Sequence, residues 1–252
     1  MSPDLPAPSG RRYAAHIPLN AIGEAGHARI RAAKVVLVGL GGLGTVAAQY
    51  LVGCGIGELL ICDFDTVAES NLARQLLYTR KHIGLYKSDV AEPLLSHMNP
   101  DVRVSAHRVR VDAEILGNLL PGADLVIDAS DNYGTRLAVN NACLEPGLPW
   151  VMGACIRMEG QLMLFSPGQP DQPCYRCVYG KAPETLEDCP GAGIFAPVAG
   201  MIGTAMAHLA LSRLAGLDLP SRLHVLDAQT MNWRQLKISP DPDCPDCSAI
   251  QS

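Results

Sequence analysis

Hydrophobic positions in the first third of the chain switch between helical and extended spacing. Residues 20–33 have the amphipathic period of a helix, and residues 34–39 form a continuous apolar run that predicts a buried strand. A second helix is predicted over residues 43–55, beginning on glycines and ending at a glycine, and a second buried strand over residues 57–65, ending in acids. This order predicts a βαβ unit with parallel strands.

The same alternation continues to about residue 145. Helices are predicted over residues 86–99, 112–120 and 132–145, and strands over residues 101–111 and 123–130. Residues 149–167 and 224–239 then alternate apolar with polar positions, as antiparallel strands do. We therefore expect an α/β fold: a Rossmann-like, doubly wound, mostly parallel sheet extended by antiparallel strands.

Composition is consistent with one globular domain. The chain has 252 residues, of which 48% are hydrophobic and 18% charged, enough for one sizeable core. We expect a flexible tail over residues 1–10, which is rich in proline, a single domain over residues 11–252, and a disordered loop over residues 180–196.

Charge and hydropathy indicate where the protein acts. The formal net charge of −5 provides no basic footprint, so nucleic acid is not an expected partner. The first residues lack the apolar core of a secretory signal, which indicates a cytoplasmic protein. An apolar run over residues 195–216 is interrupted by His208 and Arg213, which predicts a buried or interface helix and no membrane span.

The glycine-rich stretch "VLVGLGGLG" at residues 36–44 is the first candidate for chemistry. Gly39, Gly41 and Gly44 have the spacing of a dinucleotide fingerprint, and Gly42 adds another point of close backbone approach. Asp63 lies in the window where an acid binds ribose hydroxyls. This stretch alone is compatible with an NAD- or FAD-dependent oxidoreductase and with other phosphate ligands.

The connection after the second strand, "CDFDTVAESNLARQLLYTRKHIGLYK", points toward phosphoryl chemistry. Arg74 and Lys87 would lie beyond the carboxyl end of the strand, where crevice residues belong. Two cations beside phosphates offset the charge that grows on a leaving group during displacement at phosphorus. The alternative is that both are solvated charges on helix surfaces.

The motif "DASDN" at residues 128–132 brings further acids to the same sheet edge. Asp128 and Asp131 follow a predicted strand, and a carboxylate there can hold Mg²⁺ or cap the next helix. No G-x-x-x-x-G-K-[ST] pattern occurs, which disfavours a P-loop kinase or GTPase.

Taken together, "GLGGLG", "DFDTVAESNLARQ", "GLYK", "DASDN" and "GACIRMEGQ" resemble the E1-like adenylyltransferase family with its MoeB and ThiF members. The resemblance covers roughly residues 20–250 in the expected order. It implies that ATP adenylates the C-terminal glycine carboxylate of a small ubiquitin-like sulfur-carrier protein of MoaD or ThiS type, with release of pyrophosphate. The pathway would be molybdopterin or thiamine biosynthesis, and a tRNA-modifying dehydratase on the same fold is an alternative.

The resemblance also assigns roles to residues. Gly42 and Asp63 would bind the adenosine part, residues 70–74 the ribose and phosphates, Lys87 the phosphates, and Asp131 with Asn132 the Mg²⁺-nucleotide. The whole predicted nucleotide site comprises Gly39, Gly41, Gly42, Gly44, Asp63, Asp65, Ser70, Asn71, Arg74, Gln75, Lys87, Asp131 and Asn132. Arg74, Lys87 and Asp131 are the residues whose loss we expect to abolish adenylation.

Two C-x-x-C pairs predict a metal site. Cys174 with Cys177, and Cys244 with Cys247, supply the two halves of a tetrahedral Cys₄ zinc site that would clamp the C-terminal segment. Disulfides are disfavoured in a reducing compartment, and a thioredoxin-like redox pair lacks its βαβ context.

Cys189 lies apart from these pairs. The family often places here a cysteine that forms a thioester or acyl-disulfide with the carrier, so Cys189 is a candidate catalytic residue. The adjacent Glu187 and Asp188 would oppose thiolate formation, and a dispensable surface thiol is the competing interpretation.

One position departs from the family pattern. Members usually begin near "RYxRQI", whose second arginine reaches toward ATP in the partner subunit, but this chain reads "RRYAAHIPL" with Ala15 at that position. Either Arg11 or Arg12 takes over, or the site works without that cation. We still expect a homodimer, built on the helix near residues 197–215, and a sulfur donor supplied by a separate protein.

Overall fold

Eight strands form one mixed sheet in the computed structural model, which describes residues 12–169, 171–180 and 193–248. The strand order is β3-β2-β1-β4-β5-β6-β7-β8. The strands are β1 Lys34–Val38, β2 Glu58–Cys62, β3 Arg103–His107, β4 Leu125–Asp128, β5 Trp150–Ile156, β6 Glu159–Phe165, β7 Leu223–Asp227 and β8 Asn232–Leu236.

The first five strands are parallel and form the nucleus of the fold. Val36 of β1 is paired with Leu60 of β2 on one side and with Val126 of β4 on the other. All three side chains are buried because helices cover both faces, which explains the continuous apolar runs in the sequence. The predicted doubly wound parallel sheet is confirmed, although the strands are shorter than predicted.

Helices cover the sheet in two layers. One face is covered by α1 Gly23–Ala32, α2 Gly44–Gly53, α3 Lys87–Met98 and α7 Ala196–Leu214, and the other by α4 Ala113–Leu119, α5 Tyr133–Leu144 and α6 Tyr175–Tyr179. Leu51, Leu95 and Ile202 belong to the core of the first face, while Leu116 and Val139 belong to that of the second. The short α6 was not predicted from the hydrophobic pattern.

The antiparallel extension is also confirmed. In the pairing of β5 with β6, Trp150 lies opposite Phe165, and their rings stack with centroids 4.5 Å apart. Helix α7 is buried across this region through residues such as Met206, as its apolar sequence predicted. Within the described residues, no helix combines the length and the apolar character that crossing a membrane requires.

The predicted disordered segments fall largely outside the described residues. The tail over residues 1–10 and residues 181–192, which include Cys189, are not described. The end of the predicted loop is ordered, contrary to expectation, because Ile194 forms a bridge with Arg157 and α7 begins at Ala196. The Arg157 carbonyl also accepts a hydrogen bond from the backbone N–H of Phe195 at 2.9 Å.

Gly44 is required by packing at the start of α2. A Cβ atom there would overlap the carbonyl oxygen of Gly39, which is backbone and has little room to move. We expect Gly44→Ala to lower the free energy of unfolding by about 3 kcal/mol, the upper part of the range for overpacked sites. Urea unfolding measures this.

Gly53 is the matched control, since it ends the same helix and a Cβ atom there meets nothing within 4 Å. Gly53→Ala should leave the stability unchanged or raise it by up to about 1 kcal/mol. Equal effects of the two substitutions would contradict the packing role of Gly44.

Candidate functional site

A cavity of about 480 Å³ lies at the carboxyl edge of the parallel strands. The ends of β1, β2, β4 and β5 surround it, which is where ligands bind in doubly wound sheets. The sequence-predicted residues that line it are Gly39, Gly41, Gly42, Asp63, Asp65, Asn71, Arg74, Gln75, Lys87, Asp131 and Asn132. Gly44 and Ser70 are not among the lining residues.

The glycine turn forms the floor of the cavity. Gly39 has a φ of +90°, and a Cβ atom there would lie 2.9 Å from the Ala129 carbonyl oxygen, so only glycine allows β1 and β4 to approach this closely. Helix α2 begins just beyond the turn without a side-chain cap. Its N-terminus therefore presents partial positive charge near the cavity.

Asp63 ties the glycine turn to the end of β2. Its Oδ2 accepts a hydrogen bond from the backbone N–H of Leu40 at 2.7 Å, and its Oδ1 accepts one from the N–H of Asp65 at 2.8 Å. Burial raises the pKa of Asp63, while the nearby Lys87 and these two hydrogen bonds oppose that rise. The carboxylate thus shapes the cavity in addition to lining it.

Lys87 is a buried cation held at the cavity wall. It is the first residue of α3, its side chain is only 7% exposed, and its Nζ lies 2.9 Å from Oδ2 of Asp65. The Asp65 side chain is 52% exposed, so this carboxylate remains accessible to solvent. A solvated position on a helix surface, the alternative considered for Lys87, is therefore wrong.

Arg74 lines the cavity as a second cation. Its Nη1 donates to the Ser70 carbonyl at 3.1 Å, and none of the ion pairs in the described part of the chain includes it. Ser70 thus positions the arginine through its backbone. Next to it, Gln75 is 3% exposed and its Oε1 has no hydrogen-bond partner among the described residues.

The "DASDN" segment divides its polar groups between structure and cavity. Asp128 is fully buried, and its Oδ1 accepts from the Ser130 N–H at 2.8 Å, whereas its Oδ2 has no partner within the described residues. Asn132 caps α5 by accepting from the Thr135 N–H at 2.8 Å. Asp131 is exposed and lines the cavity, which leaves its carboxylate able to meet a ligand.

Burial also affects the pKa of Asp128. It raises the pKa of this carboxyl, and the positive charge of Arg136 opposes the rise. The sequence left open whether an acid of this motif caps the next helix. In the structure the cap of α5 is Asn132.

Sequence reasoning missed two cavity residues that carry chemistry. Arg136 follows the capping Asn132 by four residues, which places both on the same face of α5, and that spacing was the available signal. Cys155 on β5 lies in an apolar stretch of the sequence, yet it lines the cavity. Burial raises the pKa of Cys155 to about 11, against the opposing charges of Arg74 and Arg136.

The N-terminal segment does not bring Arg12 to the cavity of its own chain. The Nη1 of Arg12 donates to the Met98 carbonyl at 3.2 Å, at the opposite end of α3 from Lys87. At 1.5 Å per residue the two ends of that helix lie about 16 Å apart. Ala15 is exposed, and Arg11 lies outside the described residues.

The four predicted zinc ligands form a cluster. The Sγ atoms of Cys174, Cys177, Cys244 and Cys247 all lie within 4.8 Å of one another, with three closer pairs at 3.5–3.8 Å. Zn–S bonds of about 2.3 Å in a tetrahedron separate the sulfurs by about 3.8 Å. The cluster therefore has the composition and size of a Cys₄ zinc site.

Hydrogen bonds around the cluster attach the C-terminal segment to the domain. Arg176 and Asp246 form an ion pair with Nε and Oδ2 2.7 Å apart, and both side chains are largely buried. Asn140 of α5 accepts from the Tyr175 N–H at 2.8 Å. The cluster thus joins α6 and residues 244–247 to the helix that also carries Arg136.

Comparisons with known proteins agree with this architecture. The model of the ThiF family matches residues 13–246. The chain is 37% identical to the sulfur carrier protein ThiS adenylyltransferase of Escherichia coli K12, over 94% of each chain. It is 37% identical to the molybdopterin-synthase adenylyltransferase of Salmonella typhimurium, over 94% of this chain and 95% of the relative.

A solved structure shares the fold. The structure of Escherichia coli MccB with ATP superposes with a TM-score of 0.78 at 23% identity, over 89% of this chain and 69% of that one. The family match spans nearly all of the described residues, including both cysteine pairs except Cys247. The chain therefore belongs to the ThiF family, the E1-like adenylyltransferases that its motifs resemble.

Proposed function

We propose that this protein uses ATP to adenylate the C-terminal glycine carboxylate of a small ubiquitin-like sulfur-carrier protein, releasing pyrophosphate. The observation that carries the proposal is the grouping of Arg74, Lys87 and Asp131 around one cavity at the glycine turn. The names of the ThiS and molybdopterin-synthase relatives support the substrate class and place the reaction in thiamine or molybdopterin biosynthesis.

Charge is the main obstacle in this reaction. A carboxylate must approach a polyanionic triphosphate and attack its α-phosphorus in line with the leaving pyrophosphate. Fixed cations in a cavity screened from water reduce that repulsion and stabilise the charge that develops on the leaving oxygens. Such charges are supplied by the buried Lys87 and by Arg74, which has no ion-pair partner among the residues that the structure describes.

Each side chain has a distinct task in this proposal. The backbone N–H groups of Gly41, Gly42 and the N-terminus of α2 bind the phosphates, because those of Gly39 and Leu40 already donate to Cys62 and Asp63. Asp63 holds the turn and meets the adenosine part, while Asn71 and Gln75 direct polar atoms toward the nucleotide. The unsatisfied Oε1 of Gln75 is consistent with a ligand partner at that position.

ATP and Mg²⁺ complete the site. The exposed carboxylate of Asp131 offers oxygen ligands of the kind that Mg²⁺ and its water shell accept, while the amide N–H₂ of Asn132, whose Oδ1 caps α5, can donate to a phosphate oxygen. Mg²⁺ would neutralise phosphate charge. Zinc at the cysteine cluster would have a structural role, because all four ligand positions are protein sulfurs.

Partners follow from the same proposal. The carrier ends in Gly-Gly, and the sulfur donor is a separate protein. We also propose that the protein forms a homodimer through the α7 region and is located in the cytoplasm. Cys189 keeps its two interpretations, as the site of a covalent intermediate or as a dispensable thiol. The domain limits, with residues 11–252 as one unit after a flexible tail, also stay a prediction.

The test is ATP–pyrophosphate exchange with zinc-loaded protein and a panel of purified carriers ending in free Gly-Gly. We expect exchange that depends on ATP, Mg²⁺ and one member of the panel. The control is the same carrier truncated by its last two residues, which should support no exchange. If no carrier in the panel supports exchange, the proposal is contradicted. Tight binding of NAD(P) or a flavin in its place would favour an oxidoreductase.

A further inference from the structure

Arg136 lines the cavity from the side of β4, whereas the glycine turn lies at the end of β1. The glycine turn follows β1 and Asp63 follows β2, so the proposed nucleotide lies over the β1–β2 half of the edge. Adjacent strands lie about 4.8 Å apart, which puts β5 about 10 Å from β1 across β4. The Arg136 side chain lines the cavity from the other half, where its Nη2 donates to the Ser130 carbonyl just beyond β4, and Cys155 of β5 lines that half as well.

The guanidinium of Arg136 is held in place by neutral groups. Its Nη2 donates to the Ser130 carbonyl at 2.8 Å, and it interacts with the Tyr175 hydroxyl on α6. Its Nε is buried and has no hydrogen-bond partner among the described residues. The arginine is therefore oriented before any ligand arrives.

Among the described residues, no acid lies within ion-pair distance of the Arg136 guanidinium. None of the ion pairs within 4.0 Å in the described part of the chain includes Arg136, and the acid that influences it, Asp128, is fully buried beneath the cavity edge. By contrast, Lys87 is paired with Asp65 at 2.9 Å. The β4–β5 half of the cavity thus has an oriented guanidinium with capacity for an anion.

We infer that Arg136 binds the C-terminal carboxylate of the protein that is adenylated, and that it thereby helps to select a free C-terminal acid. This inference rests on the proposed function. Arg74 and Arg136 both line the cavity, Arg74 from the connection after β2 and Arg136 from the helix after β4. A carboxylate held on Arg136 would face phosphates held on Arg74, the arrangement that a displacement at phosphorus needs.

The chemistry favours a carboxylate because guanidinium groups bind carboxylates through paired, charge-assisted hydrogen bonds. Neutralising the attacking group also lowers its repulsion from the triphosphate. The nearby Cys155 thiol, with its pKa raised to about 11, stays neutral and does not compete for the charge.

The experiment compares a carrier that supports exchange with the same carrier ending in a carboxamide. Dissociation constants are measured by calorimetry in the presence of a non-hydrolysable ATP analogue, for the wild type and for Arg136→Gln and Arg136→Lys. We expect the wild type to bind the acid form at least tenfold more tightly than the amide form. Arg136→Gln should bind both forms equally, with the affinity for the ATP analogue changed less than threefold, and Arg136→Lys should keep part of the preference.

Arg103→Gln is the matched control, because Arg103 is exposed on β3 and pairs with Glu58 away from the cavity. It should keep the full preference. If Arg136→Gln still binds the acid form tenfold more tightly than the amide form, the inference is overturned. It is also overturned if the variant keeps this preference but loses affinity for the ATP analogue, because Arg136 would then bind phosphate. If Arg136→Gln does not fold, Arg136→Lys decides, and an undiminished preference in that variant overturns the inference.

Failure of the proposed function has a different result. The wild type would then show no exchange with any carrier, before any Arg136 variant is made, and both proposals would fall. Exchange by the wild type together with an unchanged acid preference in the variants would overturn the inference about Arg136 alone.

Discussion

Lys87→Met is expected to reduce carrier-dependent ATP–pyrophosphate exchange by about 10²–10³-fold, the range found when one fixed donor to developing charge is removed. Methionine keeps an unbranched side chain in the buried position, so the main loss is the ammonium group beside the proposed phosphates. The fold should persist, because the Asp65 carboxylate left behind is 52% exposed and water can solvate it. Steady-state exchange assays and thermal unfolding measure the two quantities.

Lys81→Met provides the control. Lys81 is an exposed residue of the short 3₁₀-helix Arg80–His82 and does not line the cavity. Its substitution should leave exchange within about twofold of the wild type, as expected for a surface charge away from the site. If Lys87→Met retained exchange within threefold of the wild type, the role assigned to Lys87 would be wrong.

The second large effect is expected at the cysteine cluster. The wild type should carry about one zinc ion per chain, and Cys244→Ser should lose most of it because a tetrahedral site is left with three thiolates. Loss of a structural metal is among the few changes that cost more than about 4 kcal/mol. For a chain of this size that corresponds to a fall of about 8–16 °C in Tm.

The loss should begin at the C-terminal segment. Residues 244–247 are attached through the cluster and through the ion pair of Asp246 with Arg176. Hydrogen exchange should therefore speed up in this segment and in α6 before it does in β1. Metal analysis, scanning calorimetry and exchange mass spectrometry measure these effects.

Cys54→Ser is the matched control for the cysteine chemistry. Cys54 caps the end of α2, outside the cluster, and should keep both the zinc content and a Tm within a few degrees of the wild type. A zinc-free wild type, or a Cys244→Ser variant with unchanged zinc content, would refute the metal site.

Local patterns in the sequence were sufficient to predict the parallel strands of the sheet. Strands β1, β2 and β4 are continuous apolar runs because helices cover both of their faces. Burial on both faces can therefore be predicted from consecutive residues. The glycine turn was equally readable, since Gly39 must adopt a left-handed conformation next to β4. The paired C-x-x-C spacing likewise predicted the cluster before its sulfurs could be located.

Short and irregular segments were less readable. Helix α6 has five residues, too few for a helical period to stand out, and the ordered end at residues 193–196 depends on the distant bridge between Arg157 and Ile194. Cys155 has apolar neighbours in the sequence, which is the pattern of a core residue. Its exposure to the cavity depends on where β5 ends relative to β4.

The sequence by itself thus determined the α/β class, the glycine turn and the cysteine pairs, and its resemblance to the family supplied most of the residues that line the cavity. The first three features depend on hydrophobic period, on backbone conformations that glycine permits and on ligand spacing, all of which are local. The tertiary structure alone decided how the charges of the site are paired: Lys87 is buried against Asp65, while Arg74 and Arg136 lack acidic partners among the described residues. Such pairing depends on which side chains the strand order β2-β1-β4-β5 brings within a few ångströms, and separation along the chain does not encode that distance.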